Sequence, residues 1–285
     1  MASENMLTPE SETKAQEPIS KSQMKRLLKR QKWLEGRGER RKQEREKRKI
    51  KRREAAQKRD QAVETGVIKP RTKLMSESEN KFRVVIDMDF EDYMTEHEIS
   101  KAILQVGRIY AINRHSENPC QLYISSLKNR ILEKMNTTNV GYKNWDINYS
   151  DKSYLDLFKG EGADETSENA SLKRNIIYLS GDSHTNLPEV EDLLKDTSKI
   201  YVIGGLVDHN RHKNLCQTRA QELNIQTAKL PIKEHIKLSR RHILSTVAVF
   251  EVLLKVLGDK MNWNDALKTG IPKRMIASTT DSEDG

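Results

Sequence analysis

The chain is poor in the residues that most often build a chemical centre. It has two cysteines in 285 residues, Cys120 and Cys216, with no metal-ligand spacing around either. No apolar run reaches the ~18 residues that a membrane helix needs, so no membrane partner is expected. The start, Met1-Ala-Ser-Glu-Asn5, has neither the charged n-region nor the apolar stretch of a secretory signal. The expectation is an intracellular, reduced protein. Common fingerprints are missing as well. No G-x-x-x-x-G-K-[ST], H-E-x-x-H, paired C-x-x-C or G-x-S-x-G occurs, which argues against P-loop hydrolases, zincins and nucleophile-elbow hydrolases. Gly36-Arg-Gly38 and Gly160-Glu-Gly162 each lack a third glycine and follow no strand, so the dinucleotide fingerprint fails. No metal is expected.

What is abundant is charge, and it is unevenly placed. With 35% hydrophobic and 33% charged residues, a good part of the chain cannot bury a core. Residues 21–60 hold nineteen basic side chains against six acidic ones, a net of +13. Residues 1–20 carry −3, and since the whole chain is +9, the other 225 residues sum to −1. The expected organisation is an acidic disordered tail at 1–20, a basic helical or disordered arm at 21–60 and a linker at 61–80. A domain at 81–278 and a disordered tail at 279–285 follow. The arm matches the electrostatic footprint of a nucleic-acid binder. It equally fits a solvated charged helix or a nuclear localisation signal. The expected placement is nucleus and cytoplasm.

The domain alternates strand and helix patterns. Apolar, β-branched runs predict strands at Phe82–Phe90, Gln121–Ser125, Asn175–Asp182, Tyr201–Val207 and Ile225–Leu230. Helical spacing predicts helices at His97–Asn113, Lys128–Met135, Glu189–Leu194, Lys213–Leu223 and His242–Leu257. An acidic insert, Phe158–Asn169, reads as a loop. This alternation predicts an α/β fold, a parallel sheet flanked by helices. In such sheets ligands gather past the carboxyl ends of strands. Three segments meet that condition: Leu179-Ser180-Gly181, Gly204-Gly205 through Lys213, and Leu230 through Ser245. Gly204-Gly205 reads either as a tight turn or as a place where backbone approaches a ligand closely.

These segments also carry a resemblance. Tyr178-Leu-Ser-Gly-Asp182, Tyr201-Val-Ile-Gly-Gly-Leu-Val-Asp-His-Asn-Arg211, Leu230-Pro-Ile232 and Arg240-Arg-His-Ile-Leu-Ser-Thr246 resemble the tRNA guanine-9 N1-methyltransferases. So do Ser22-Gln-Met-Lys-Arg26, Lys32-Trp-Leu-Glu35, Gln105-Val-Gly-Arg108 and Asn113-Arg114, and the likeness spans roughly residues 20–270. The resemblance implies a SPOUT-like domain whose carboxyl-terminal segment forms a trefoil knot, although chains are almost never knotted. It implies S-adenosyl-L-methionine as cofactor, tRNA as partner and a monomer.

The implied cofactor contacts are Leu179, Ser180, Gly181, Gly204, Gly205, His209, Asn210, Arg211, His212, Lys213, Cys216, Leu230, Ile243, Leu244 and Ser245. For the apolar ones, core packing is the plain alternative. Asp208 is the expected catalytic residue, because guanine N1 bears a proton that must be taken or oriented before its lone pair can attack a methyl group. Its plain alternative is a cap on a helix beginning near Arg211. Expected RNA contacts are Lys25, Arg26, Lys29, Arg30, Lys32 and Trp33 in the arm, with Gln105, Arg108 and Arg114 on one face of a helix. Trp33 is suited to stacking on a base. The rival readings are a non-catalytic RNA-binding or ribosome-assembly factor, and an enzyme of the same class acting on adenine-9.

Overall fold

A computed structural model describes residues 20–64, 73–159, 167–238 and 243–276. The tails expected at 1–20 (but for Ser20) and 279–285, part of the linker and of the acidic insert, and Arg240 to His242 lie outside the described residues. Two compact units are present, Met1–Lys69 and Pro70–Gly285.

The first unit contains two helices, α1 (Lys21–Glu35) and α2 (Arg37–Glu64). A capping box starts α1: the Ser20 hydroxyl accepts from Gln23 N–H at 3.2 Å, and the Gln23 side chain accepts from Ser20 N–H at 3.0 Å. Such reciprocal caps satisfy donors that the first turn leaves open. Gly36 ends α1, and Met24, Leu27, Leu28 and Leu34 stay about half exposed. The apolar stripe is too thin to make a core.

The second unit opens with a segment expected to be linker. Met75 instead sits in the core, where Gln121 donates to its carbonyl oxygen at 2.8 Å, and Ser78 and Asn80 are buried. After it come β1 (Arg83–Asp87), α3 (Glu96–Arg114), β2 (Gln121–Ser125), α4 (Asn129–Thr138), β3 (Asn148–Tyr149), α5 (Tyr154–Phe158) and α6 (Ser167–Asn175). The chain continues through β4 (Ile176–Leu179), α7 (Val190–Leu193), β5 (Ile200–Gly204), α8 (Leu215–Glu222), β6 (Gln226–Ala228), α9 (Ile232–His235), α10 (Thr246–Leu257) and α11 (Trp263–Gly270). The strands pair in parallel in the order β3-β2-β1-β5-β4-β6. Four of the five residues of β1 and of β5 are buried, as expected of central parallel strands covered by helices on both faces.

All five expected strands are present, β2 with its expected bounds and the other four shortened, and β3 was not anticipated. The acidic insert is only partly a loop, since Phe158 closes α5 and Ser167 opens α6. The last long helix begins at Thr246 rather than His242. Ser245 caps it by accepting from Ala248 N–H at 3.3 Å, and this leaves Ile243 and Leu244 outside the helix. Within α10, Phe250, Val252, Leu253 and Val256 are fully buried, each side chain contributing about 1.5–3 kcal/mol of burial. α10 packs against α3, α11 and β5, and a hydrogen bond from Thr246 to the Gly204 carbonyl puts its first turn at the carboxyl end of that strand.

Candidate active site

The strand register brings Leu179 level with Ile203 and with Ala228. The segments after β4, β5 and β6 therefore leave the sheet at one edge. They border a cavity of about 420 Å³ that is lined also by Ile243, Leu244, Thr246 and Val249. That volume is in the range of small-molecule sites. The expected residues Leu179, Ser180, Gly181, Gly204, Asn210, His212, Cys216, Leu230, Ile243 and Leu244 line it together with Asp208.

Five expected cofactor contacts do not line it, each for an identifiable reason. A Cβ on Gly205 would lie 2.4 Å from Met88 Sδ and 2.9 Å from the Asp87 carbonyl oxygen. The neighbouring chain at Asp87 and Met88 leaves no room for a side chain there. Arg211 turns away: its guanidinium donates to both Glu98 oxygens at 3.0 and 2.9 Å and to the Tyr93 carbonyl at 3.1 Å. The Ser245 hydroxyl is engaged as the α10 cap. His209 and Lys213 are exposed, and neither lines the cavity.

Asp208 is 8% exposed. Its Oδ1 accepts from Asn210 N–H at 2.9 Å, and its Oδ2 accepts from His212 N–H at 2.7 Å and faces His212 Nδ1 at 3.2 Å. The carboxylate closes a turn and does not cap α8, which begins only at Leu215. His209, Asn210 and Asn214 have φ of 55°, 62° and 59°. Asparagine tolerates this left-handed region, while histidine adopts it less readily. The loop is held from outside by the Glu98–Arg211 pair and by Asp182, which accepts from Asn214 N–H at 2.9 Å. Glu98 also serves as the third residue of the Thr95 capping box on α3. The Arg211 guanidinium, aided by the Thr95 amide, lowers its carboxyl to about 2.

Next to the cavity, Asp87 and Tyr178 form a buried polar pair with Cys216, Asp89 and Arg219 near it. Burial raises the Asp87 carboxyl above its ordinary range. Tyr178 donates its hydroxyl to Asp87 at 3.0 Å. Burial, helped by Asp87, pushes the Cys216 thiol up to about 12, so it stays protonated and is no nucleophile at neutral pH. Arg219 pairs with Asp89 and lies 4.7 Å over the Phe90 ring. Sequence reasoning missed the polar rim of the cavity, formed by Asp182, Lys229, Lys233 and Glu234. Of these, Glu234 accepts from Asn186 at 2.8 Å. Thr246, also missed, donates to the Gly204 carbonyl at 3.2 Å. Among the described residues no cluster of His, Cys, Asp and Glu could hold a metal ion, and no helix is long and apolar enough to cross a membrane.

The expected RNA contacts fall into two groups. Lys25, Arg26, Lys29, Arg30, Lys32 and Trp33 are exposed on α1, with the Arg37 and Arg40 guanidinium groups 5.3 and 5.9 Å from the Trp33 ring. On α3, Arg108 and Arg114 are exposed, but Gln105 is half-buried and its Oε1 is a buried atom with no hydrogen-bond partner. The three do not share a face, because nine residues at ~100° each end half a turn away from the start.

A family model described as tRNA (guanine(9)-N(1))-methyltransferase TRM10/TRM10A matches residues 17–276. The chain belongs to this family. Two relatives are the tRNA (guanine(9)-N1)-methyltransferase of Schizosaccharomyces pombe and the tRNA methyltransferase 10 homolog A of Xenopus tropicalis. The first is 36% identical over 92% of this chain and 82% of its own. The second is 36% identical over 95% and 75%. Among solved structures, spTrm10(74) matches with a TM-score of 0.57 at 37% identity, over 67% of this chain and 94% of its own. Full-length spTrm10 in complex with SAH has the same TM-score at 36% identity, over 68% and 97%. The methyltransferase family match takes in both the basic arm and the cavity.

Proposed function

We propose that this protein transfers a methyl group from S-adenosyl-L-methionine to N1 of the guanine at position 9 of tRNA. The observation that carries the reading is the family match over 17–276, which contains the cavity and its buried Asp208. The lining suits the cofactor chemically. Apolar Leu179, Leu230 and Leu244 offer walls for a purine, and charged Asp182, Lys229, Lys233 and Glu234 offer partners for an amino-acid ammonium and carboxylate. When bound there, the cofactor supplies an electrophilic methyl group on a sulfonium.

Gly204 and Cys216 form the floor, and the absence of a Cβ at Gly204 keeps the cavity and the Cys216 sulfur, 2.9 Å from such an atom, compatible. Asp208, buried on the cavity wall, orients the group that receives the proton of guanine N1. We extend the proposal to a trefoil knot in the carboxyl-terminal segment, supported by residues from both the 229–234 and the 243–249 stretches lining the one cavity. The arm at 21–60 binds the tRNA backbone, with Trp33 as a stacking platform and Arg108 and Arg114 as further contacts. The protein acts as a monomer and resides in nucleus and cytoplasm, with the basic run supporting nuclear entry.

The test is direct. Purified protein incubated with unmodified tRNA and S-adenosylmethionine yields N1-methylguanosine at position 9, read by nucleoside mass spectrometry and mapping. Calorimetry shows binding of S-adenosylhomocysteine. RNA binding without either result supports a non-catalytic RNA-binding factor instead, and methylation of adenine-9 alone changes the base.

A further inference from the structure

The buried carboxylate of Asp208 is not the group best placed to take a proton. Both of its oxygens already accept backbone N–H groups, and Oδ2 is used a second time by His212 Nδ1 at 3.2 Å. An ionised carboxylate only accepts, so the ring nitrogen facing it carries the hydrogen. The other nitrogen, Nε2, then bears a free lone pair, and it has no hydrogen-bond partner among the described residues. The ring lies on the cavity wall with its side chain 33% exposed. Tyr93 packs edge-on against it, with ring centres 5.3 Å apart at 77°. The imidazole is thus held by a carboxylate at one nitrogen and by an aromatic ring at its side. This is the arrangement by which a buried aspartate fixes a histidine tautomer for proton transfer.

The other polar groups of the cavity are unsuited to the task. Asp182 is exposed, with one oxygen accepting from Asn214 N–H, and Glu234 is hydrogen-bonded by Asn186, which lowers its carboxyl below the ordinary range. Lys229 and Lys233 are cations, and Cys216 holds its proton. We propose that His212, kept in the Nδ1–H form by Asp208, is the catalytic proton acceptor for guanine N1–H. This inference rests on reading the cavity as the methyl-transfer site. In the step, the N1–H bond breaks and its proton moves to Nε2, forming an imidazolium. The freed N1 pair bonds to the methyl carbon as the carbon–sulfur bond breaks and leaves its electron pair on sulfur. The imidazolium then returns the proton to water. Asp208 stabilises the imidazolium and is a positioning residue for it.

The experiment uses the full chain, single-turnover methylation of tRNA and ¹⁵N-histidine NMR. His212→Gln and His212→Ala are expected to lower the single-turnover rate at saturating tRNA and S-adenosylmethionine ~10²–10⁴-fold. Free imidazole restores part of the rate of His212→Ala and none of that of His212→Gln, whose side chain still fills the space. NMR finds His212 of the wild-type protein protonated at Nδ1, and that preference is lost in Asp208→Asn, whose amide presents an N–H to the same nitrogen. A His212→Gln rate within about threefold of wild type, far short of what a general base contributes, overturns the proposal. So does a loss in His212→Ala that imidazole does not recover, or a wild-type ring protonated at Nε2 alone. Failure of the wild-type protein to methylate any tRNA sinks the reading of the cavity itself, and is distinguished because the NMR tautomer is measured without cofactor or RNA.

Discussion

Gly204 and Gly205 are adjacent, yet they answer to different neighbours. Gly204 borders the cavity, and an added Cβ would meet the Cys216 sulfur at 2.9 Å. Gly205 points at β1, where Met88 Sδ and the Asp87 carbonyl leave no room. Gly205→Ala therefore overpacks the sheet and is expected to cost about 1–3 kcal/mol, measured by chemical denaturation. Gly181→Ala is the control: it too lies on the cavity wall, but its added Cβ meets nothing within 4 Å, so stability is unchanged. Ser245 makes a similar point. Its hydroxyl caps α10, so Ser245→Ala is expected to lower stability by about 1 kcal/mol. Calorimetric affinity for S-adenosylhomocysteine stays the same, because the residue is off the cavity.

At the scale of elements, the loop between β5 and α8 is set by its attachments more than by its own residues. Glu98 serves two of them at once, closing the capping box of α3 and pairing with Arg211 from the Asp208 loop. Its carboxyl ordinarily titrates near 4.5 and is lowered to about 2 in the folded protein. A depressed carboxyl contributes stability that is present above the unfolded value and is lost as pH falls through the folded one. The stability gap between wild type and Glu98→Gln is therefore expected to be full above pH 4.5 and to close as pH falls towards about 2, checked by denaturation across that range. Elements with a strong local pattern were legible: β2 has the expected bounds, and α3 differs by one residue at each end. β3 was not, because two exposed residues on a sheet edge carry no alternation to read. α11, though not expected, does carry a local signal, an Asn262 cap followed by buried residues at 263, 266, 267 and 270.

For the whole molecule, charge and chemistry are divided between two parts. The arm at 21–60 carries +13, while residues 61–285 sum to −1. Binding to phosphates depends steeply on salt, so tRNA affinity is expected to fall as salt rises. Replacing Lys25, Arg26, Lys29 and Arg30 by alanine should flatten the slope of log K against log salt by roughly 0.7–0.9 for each phosphate no longer neutralised. Filter binding over a salt series checks this, and an unchanged slope would remove those four residues from the RNA interface. Cofactor affinity is expected to be untouched by the same substitutions, because none of the four lines the cavity.

By itself the sequence determined what is local and repetitive. The β-branched runs made the parallel strands, the Ser and Thr caps started helices, and the charge count marked the arm. It also drew the three segments that converge, since each follows a strand. Only the tertiary structure decided which members of 204–213 face the cavity. An irregular loop has no period, so the direction of each side chain depends on what distant residues offer. Met88 excludes a side chain at 205, Glu98 draws Arg211 outward, and Asp208 turns inward to hold His212.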